Sequence, residues 1–204
     1  MKLIYKGKYN GNVDSLPCRE HMPGAVKFKE PENMTKLAII ANVIAGFVLV
    51  ILLVIAGFVL VILLVISGLR CGEFVFDFWG IAASLLTLFP HEILHAICFK
   101  EEVYLYTNFK SGMLFVVGNE SMSKGRFVFM SLLPNLIFGL IPYFIFLLFP
   151  QYVLLGTLGM FAISMGAGDY MNVYHALTQM PKGAKTYLYK MNSYWFMPEG
   201  SENT

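Results

Sequence analysis

The chain of 204 residues is 57% hydrophobic and only 14% charged, with a net charge of +2 at neutral pH. This composition is far from that of a soluble domain and indicates an integral membrane protein, with the lipid bilayer as its solvent. The small, dispersed positive charge gives no reason to expect nucleic acid as a partner. The three cysteines, Cys18, Cys71 and Cys98, are widely spaced, so neither a disulfide framework nor a cysteine metal site is expected.

Residues 1–36 form a mixed, polar segment that is rich in lysine and interrupted by prolines. Because its apolar content is low, a separate folded domain is not expected there. We interpret this region as a partly ordered cytoplasmic segment. It precedes a predicted membrane domain over residues 37–180, and a cytoplasmic tail over residues 181–204 follows that domain.

The longest apolar run extends from Leu37 to Ser67, and within it the residues Val43–Leu53 are repeated without change as Val54–Leu64. A helix of this length would measure about 46 Å, against a hydrocarbon core of about 30 Å. We therefore expect one overlong spanning helix that tilts or protrudes. The repeat places Ala45-Gly46 and Ala56-Gly57 on one stripe, which either supports close helix packing or merely reflects the duplication.

Three further spans are predicted at residues 74–99, 127–149 and 152–177, which gives an all-α integral membrane protein with four transmembrane helices. In this arrangement Arg70 is the only one of the 15 basic residues on the side opposite the two termini. The positive-inside rule therefore predicts a multi-pass protein of the cell membrane with both termini cytoplasmic.

The loop after the second span contains two segments, 103–109 and 113–117, that are rich in aromatic and β-branched residues. They flank a turn at Lys110-Ser-Gly112. This pattern predicts a short cytoplasmic β-hairpin directly after the second span. An extended substrate could add to the edge of such a hairpin, and a purely structural flap is equally consistent with these residues.

The second span contains Phe89-Pro-His-Glu-Ile-Leu-His-Ala96, which places three titratable residues inside an apolar helix. His91 and His95 are four residues apart, so they face the same side of the helix and can ligate one metal ion. Glu92 lies roughly 60° around the helix from His95. It can accept a proton from an attacking water molecule while the metal polarises the scissile carbonyl. This is the H-E-x-x-H pattern of zinc hydrolases.

The position of the motif supports this interpretation, because ionisable residues inside a membrane helix are costly and usually functional. The alternative is a pair of histidines at a helix end, bonded to the backbone or to lipid headgroups. A catalytic zinc ion normally has three protein ligands and one open position, so another helix must supply the third ligand.

Asp169 is the only carboxylate of the fourth span and lies in Gly166-Ala-Gly-Asp-Tyr-Met-Asn172. In antiparallel spans it lies at a depth comparable with that of the two histidines. Gly166 and Gly168 would allow the helices to approach closely enough for a short aspartate to reach the ion. We therefore expect Asp169 to be the third zinc ligand.

Three other polar residues lie near this depth. Asn135 can hold the substrate backbone, stabilise an oxyanion or orient a metal ligand, or it satisfies carbonyls that Pro134 leaves unbonded. Asn172, one turn after Asp169, is a candidate for supporting it, whereas His175 lies closer to the membrane surface, where a histidine is usually solvated. An interfacial aromatic belt is predicted in the tail at Tyr187, Tyr189, Tyr194, Trp195 and Phe196.

The sequence resembles the putative zincin peptidase family, which consists of small bacterial membrane proteins. The resemblance covers roughly residues 68–195 and is carried by His91-Glu-Ile-Leu-His95, the predicted hairpin, Pro134-Asn135 and Gly168-Asp-Tyr-Met-Asn172. It implies His91, His95 and Asp169 as zinc ligands and Glu92 as the general base. The layout is more distantly similar to that of the site-2 proteases, although these have an Asn-Pro-Asp-Gly context where this chain has Gly168-Asp169-Tyr170.

Together these features predict a membrane-embedded metallopeptidase with Zn²⁺ as its cofactor and Glu92 and Asn135 as catalytic residues. The expected substrate is a membrane-associated protein or peptide that is cleaved near the cytoplasmic face. The competing hypothesis is a non-catalytic membrane protein with a structural zinc site, or a degenerate peptidase that binds client proteins. In that case Glu92 is dispensable, whereas His91 and His95 still contribute to stability.

Overall fold

A computed structural model describes residues 1–31, 34–67, 76–108 and 113–199. Two predictions lie outside these residues: the placement of Arg70 and the turn at Lys110-Ser-Gly112. The chain forms two compact units, each built from separate segments. The helical unit comprises Glu32–His91 and Pro134–Asp169, and the mixed unit comprises Met1–Pro31, Glu92–Leu133 and Tyr170–Thr204.

The duplicated apolar run forms one uninterrupted helix, α1 (Met34–Ser67), as predicted. Its 34 residues correspond to a length of about 51 Å. Ala56 is almost fully buried in an apolar cluster of the helical unit. By contrast, a Cβ atom at Gly46 or Gly57 would meet nothing within 4 Å. With respect to the described residues, Gly46 and Gly57 of the predicted small-residue stripe therefore make no close helix contact, and Ser67-Gly68, which the stripe also contains, includes a residue outside them.

Glycine contacts bring the other helices of this unit together at backbone distance. A Cβ atom at Gly159 would lie 2.5 Å from the backbone nitrogen of Tyr143, and one at Gly156 would lie 2.5 Å from the ring of Phe146. Small residues therefore set the spacing of these helices. The helices concerned are α2 (Phe78–Leu86), a π-helical segment (Asn135–Leu140), α5 (Ile141–Leu148) and α6 (Val153–Met165).

The mixed unit contains the strands β1 (Lys2–Lys8), β2 (Val26–Lys27), β3 (Glu102–Asn108), β4 (Met113–Gly118), β5 (Met122–Ser123), β6 (Lys185–Tyr189) and β7 (Asn192–Phe196). They form two β-sheets, with strand orders β1-β3-β4 and β2-β7-β6-β5. In the first sheet β3 and β4 are antiparallel, as predicted for the hairpin, whereas β1 is parallel to β3. All pairs of the second sheet are antiparallel.

The mixed unit also contains most of three helices, which are α3 (Leu88–Ile97), α4 (Lys124–Pro134) and α7 (Ala167–Gln179). Two apolar clusters form its core. One is formed by the buried residues Tyr9, Leu16, Tyr106 and Val117. The other is formed by Phe28, Ala176, Met180 and Ala184.

The prediction of an all-α fold is wrong, because the described residues contain seven strands in two sheets. The N-terminal segment, interpreted as partly ordered, forms β1 through pairing with the distant strand β3. Tyr187 and Tyr189 alternate along β6, whereas Tyr194, Trp195 and Phe196 follow one another in β7, and Tyr187 lies opposite Tyr194. The expected aromatic belt is therefore part of a β-hairpin, which local composition alone did not reveal.

The prediction of four spanning helices also requires correction. Among the described residues, three helices are long and apolar enough to cross a membrane: Lys36–Ile62, Phe78–Ile97 and Lys124–Leu148. The predicted fourth span consists of α6 and α7, which are bent by 50° and make a fourth crossing only if the bent pair counts as one span. The break occurs at Gly166, whose N–H donates to the carbonyl of Ile163 and ends α6.

Candidate metal centre

The position of Pro90 determines where the motif helix begins. Proline has no N–H, and its ring clashes with the carbonyl four residues before it, so α2 ends at Leu86. After Thr87 the chain re-enters a helix, and the N–H of His91 donates to the carbonyl of Thr87 at 2.8 Å. The motif therefore lies on α3, which begins three residues before His91 and together with α2 makes up the apolar helical stretch Phe78–Ile97.

The side chains of His91, Glu92 and His95 form a group on α3 in which one ligand atom from each residue lies within 4.8 Å of the others. His95 is buried and the other two are half-buried. A zinc ion with bonds of about 2.0–2.2 Å holds its ligand atoms about 3.4 Å apart, so small side-chain rotations would bring this group to bonding distance. Two imidazoles and a carboxylate are donors that suit zinc. The group can therefore hold a metal ion.

A hydrogen bond of His95 indicates which tautomer its imidazole adopts. The Nδ1 atom of His95 lies 2.9 Å from the carbonyl oxygen of Met130. A carbonyl only accepts hydrogen bonds, so Nδ1 carries the proton and Nε2 is the unprotonated nitrogen of a neutral ring. Metal-ligating histidines in proteins usually donate their second N–H in this way.

Asp169 and His91, predicted from different spans, lie next to each other in the helical unit. The Oδ2 atom of Asp169 lies 3.2 Å from Nε2 of His91, and both side chains are largely shielded from solvent. The same oxygen accepts a hydrogen bond from Nδ2 of Asn135 at 2.8 Å. Three of the predicted site residues are thus brought together around one carboxylate.

The contact between Asn135 and Asp169 depends on the absence of a side chain at Gly166. A Cβ atom at Gly166 would overlap the carboxamide of Asn135, whereas one at Gly168 would meet nothing within 4 Å. Within the part of the chain that the structure describes, only Gly166 of the two glycines predicted to permit close approach does so. Asn135 is buried at the first position of the π-helical segment, and such helical irregularities are frequent at functional sites.

The two remaining candidates lie further along α7. Asn172 is half-buried, one turn after Asp169. The side chain of His175 stacks on Phe28 at a ring distance of 6.3 Å and belongs to the packing of the mixed unit. Its Nδ1 atom lies 2.8 Å from Nε2 of Gln179, whose Oε1 accepts the N–H of Lys29. His175 is therefore engaged by residues that the sequence did not connect with it.

The C-terminal end of α3 is held by charged residues that sequence reasoning missed. The guanidinium of Arg126 donates to the carbonyl of Cys98, at 2.9 Å from Nε, and forms an ion pair of 2.6 Å with Glu120. The buried carboxylate of Glu120 also accepts the backbone N–H groups of Lys100 and Glu101. A cation at a helix C-terminus is stabilising, but no local pattern in the sequence links these residues.

A helix that carries H-E-x-x-H with its histidines on one face is characteristic of zincin-type metalloproteins. Comparison with protein families agrees, because residues 84–185 match the family described as putative zincin peptidase. The chain belongs to this family, which confirms the resemblance predicted from the sequence. No curated protein matches the chain, and no solved structure matches it.

Proposed function

We propose that this protein is a membrane-embedded zinc metallopeptidase that hydrolyses peptide bonds of a membrane-associated protein or peptide near the cytoplasmic face. The observation that carries the proposal is the grouping of His91, Glu92 and His95 within 4.8 Å on α3. Membership of a family described as putative zincin peptidase supports the same activity. Three helices of sufficient length and apolarity are consistent with a membrane protein. Both termini are cytoplasmic in this proposal only if the bent pair of α6 and α7 makes a further crossing, which is the arrangement that the distribution of basic residues favours.

In this proposal His91, His95 and Asp169 hold the metal, and the chain leaves the fourth position open. The distance of 3.2 Å between His91 Nε2 and Asp169 Oδ2 supports a shared ion, as does the proton on Nδ1 of His95, which leaves Nε2 able to ligate. When bound, zinc lowers the pKa of water and polarises the scissile carbonyl. A carboxylate is a common third ligand beside two histidines in catalytic zinc sites.

The hydrogen bond between Asn135 and Asp169 bears on the role of Asn135. Of the functions left open for this residue, its hydrogen bond to Oδ2 of Asp169 supports the orientation of a metal ligand. A donor on Oδ2 limits how the carboxylate can rotate. We therefore assign Asn135 to positioning Asp169.

Glu92 is the general base of the proposed reaction. Its carboxylate accepts a proton from the attacking water and then gives that proton to the nitrogen of the leaving amine as the peptide bond breaks. Its carboxylate lies within 4.8 Å of the ligand atoms of His91 and His95, which is close enough to reach a water molecule beside an ion that the two histidines hold. No further residue is needed to balance the proton.

The test is Glu92→Gln in the full chain, purified in detergent. We expect its zinc content to equal that of wild type and its cleavage of labelled casein or of a labelled single-span peptide to fall by about 10²–10⁴-fold. Glu20→Gln, the same substitution at an exposed position, is the matched control and should keep wild-type turnover.

Two results would contradict the proposal in different ways. Wild-type turnover in Glu92→Gln would refute the assigned base. A wild-type protein that binds zinc, cleaves neither probe and loses thermal stability in His91→Ala or His95→Ala would instead support the non-catalytic alternative with a structural zinc site.

A further inference from the structure

The carbonyl that holds His95 has an unusual place in its own helix. In a regular α-helix the carbonyl of Met130 accepts the N–H of the residue four positions later, which is residue 134. That residue is Pro134, inside α4, and proline has no N–H to give. The sequence therefore removes the regular helical donor of this one carbonyl.

The imidazole of His95 supplies a donor in its place. Its Nδ1 atom lies 2.9 Å from the Met130 oxygen. Met130 and His95 are buried, and Pro134 is among the most completely buried residues described. A buried carbonyl without a donor is costly, and so is a ring N–H without an acceptor. The two groups therefore satisfy each other where water has little access.

We infer that Pro134 is a positioning residue for His95. Because Pro134 has no N–H, the Met130 carbonyl has no regular helical donor and can accept a hydrogen bond from His95. This bond fixes both the tautomer and the ring orientation of His95. Pro134 acts through a backbone group and touches no metal. The inference deepens the proposed function, and its final step, the effect on zinc affinity, rests on that function.

The inference also explains why Pro134 and Asn135 occur together. Pro134 acts on His95 through the Met130 carbonyl, and Asn135 acts directly on Asp169. Two adjacent residues therefore orient two of the three proposed zinc ligands. Metal ligands without such support typically lose affinity by 10–100-fold.

The test separates the missing N–H from the proline ring. Pro134→Ala removes the ring and introduces an N–H. Lactic acid at position 134, introduced by nonsense suppression, removes the ring but introduces no N–H. Pro142→Ala introduces an N–H about two turns further along, in α5, and is the matched control. All variants are made in the full chain with ¹⁵N-labelled histidine, and far-UV circular dichroism checks that they fold.

The first readout is the tautomer of His95 in the metal-free protein, which does not depend on zinc binding or hydrolysis. We expect the Nδ1–H tautomer in wild type, in the lactic acid variant and in Pro142→Ala, and a mixture with Nε2–H in Pro134→Ala. The second readout is zinc affinity from competition with a chromophoric chelator. We expect about 10–100-fold weaker binding in Pro134→Ala alone.

Two outcomes would overturn the inference. If Pro134→Ala keeps both the tautomer and the affinity of wild type, the carbonyl holds His95 whether or not the N–H is present. If the lactic acid variant is as impaired as Pro134→Ala, the ring of proline and not its missing N–H is responsible. If the proposed function is wrong and the inference is right, the protein will not bind zinc, but the tautomers of His95 in the variants will still be those expected.

Discussion

The two units of the molecule are stabilised by different forces. In the helical unit, glycines bring backbones into contact, as Gly159 does with Tyr143, and polar contacts concentrate at Asp169. In the mixed unit, strand pairing and ion pairs such as Arg126 with Glu120 connect distant segments. Available space therefore constrains the helical unit, whereas charge and hydrogen bonding constrain the mixed unit. An added methyl group should be most costly in the first and a removed charge in the second.

The largest expected effect is that of Gly166→Ala. The new Cβ atom would overlap the carboxamide of Asn135, so Asn135 must shift and its bond to Asp169 is lost. We expect a loss of about 1–3 kcal/mol in the free energy of unfolding and about 10–100-fold weaker zinc binding. Thermal unfolding in detergent and chelator competition measure the two quantities.

Gly168→Ala is the matched control, because the same methyl group would meet nothing within 4 Å. Inside α7 this substitution should leave zinc affinity unchanged and stabilise the protein by up to about 1 kcal/mol, since glycine is a poor helix former. Equal effects at the two glycines would show that close approach at Gly166 does not constrain the site.

Local sequence patterns were sufficient to predict α1 and the helix that carries the H-E-x-x-H motif. The apolar run of α1 specifies a helix by its length, and the spacing of His91 and His95 places both on one face. Asp169 was found because a lone carboxylate in an apolar span needs a partner. The structure places it next to His91. These inferences needed only the chain within a few turns, or one comparison of depth.

The sheets could not be predicted in the same way, because their pairings are not local. Lys2 of β1 pairs with Glu102 of β3, a hundred positions later in the chain. No pattern in the sequence of either strand identifies the other as its partner. The bond from His95 to the Met130 carbonyl is similar, although the absent N–H of Pro134 was visible in the sequence. A proline in a helix predicts which carbonyl lacks its helical donor, but it does not predict which side chain will donate to that carbonyl instead.

A second prediction concerns charge in the mixed unit. In Glu120→Gln the buried side chain loses its ion pair with Arg126 and the charge that strengthens its bonds to the N–H groups of Lys100 and Glu101. Hydrogen bonds to charged groups contribute about 1.5–3 kcal/mol each. Both N–H groups donate to the same oxygen, Oε2, so an amide oxygen at that position can still accept them, although without the negative charge. We therefore expect a net loss of about 1–2 kcal/mol in the free energy of unfolding, measured by urea titration in detergent.

The control for Glu120 is Glu102→Gln, which removes an ion pair with Lys2 that is largely exposed to solvent. Exposed ion pairs contribute little to stability, so this variant should unfold close to wild type. If Glu102→Gln were as destabilised as Glu120→Gln, burial would not be what makes the Arg126–Glu120 pair important.

The smallest expected effect is a pH dependence at Glu30. Burial raises the pKa of its carboxyl above the ordinary value of 4.5, although the N–H of Ser193 and the charge of Lys27 partly offset this. The folded state therefore binds the proton more tightly than the unfolded state does. As the pH rises from about 4.5 through the raised pKa, the unfolded chain ionises first and this contribution to stability is lost.

Glu30→Gln should remove that part of the slope, because the amide stays neutral and its oxygen can still accept the N–H of Ser193. Thermal unfolding between pH 4 and pH 7 measures the slope, and Glu20→Gln, at an exposed position, should retain it. A wild-type slope in Glu30→Gln would mean that this carboxyl is not desolvated in the folded protein. A flattened slope would show that in the mixed unit even a partly buried charge has a measurable cost, whereas the helical unit responds mainly to added volume.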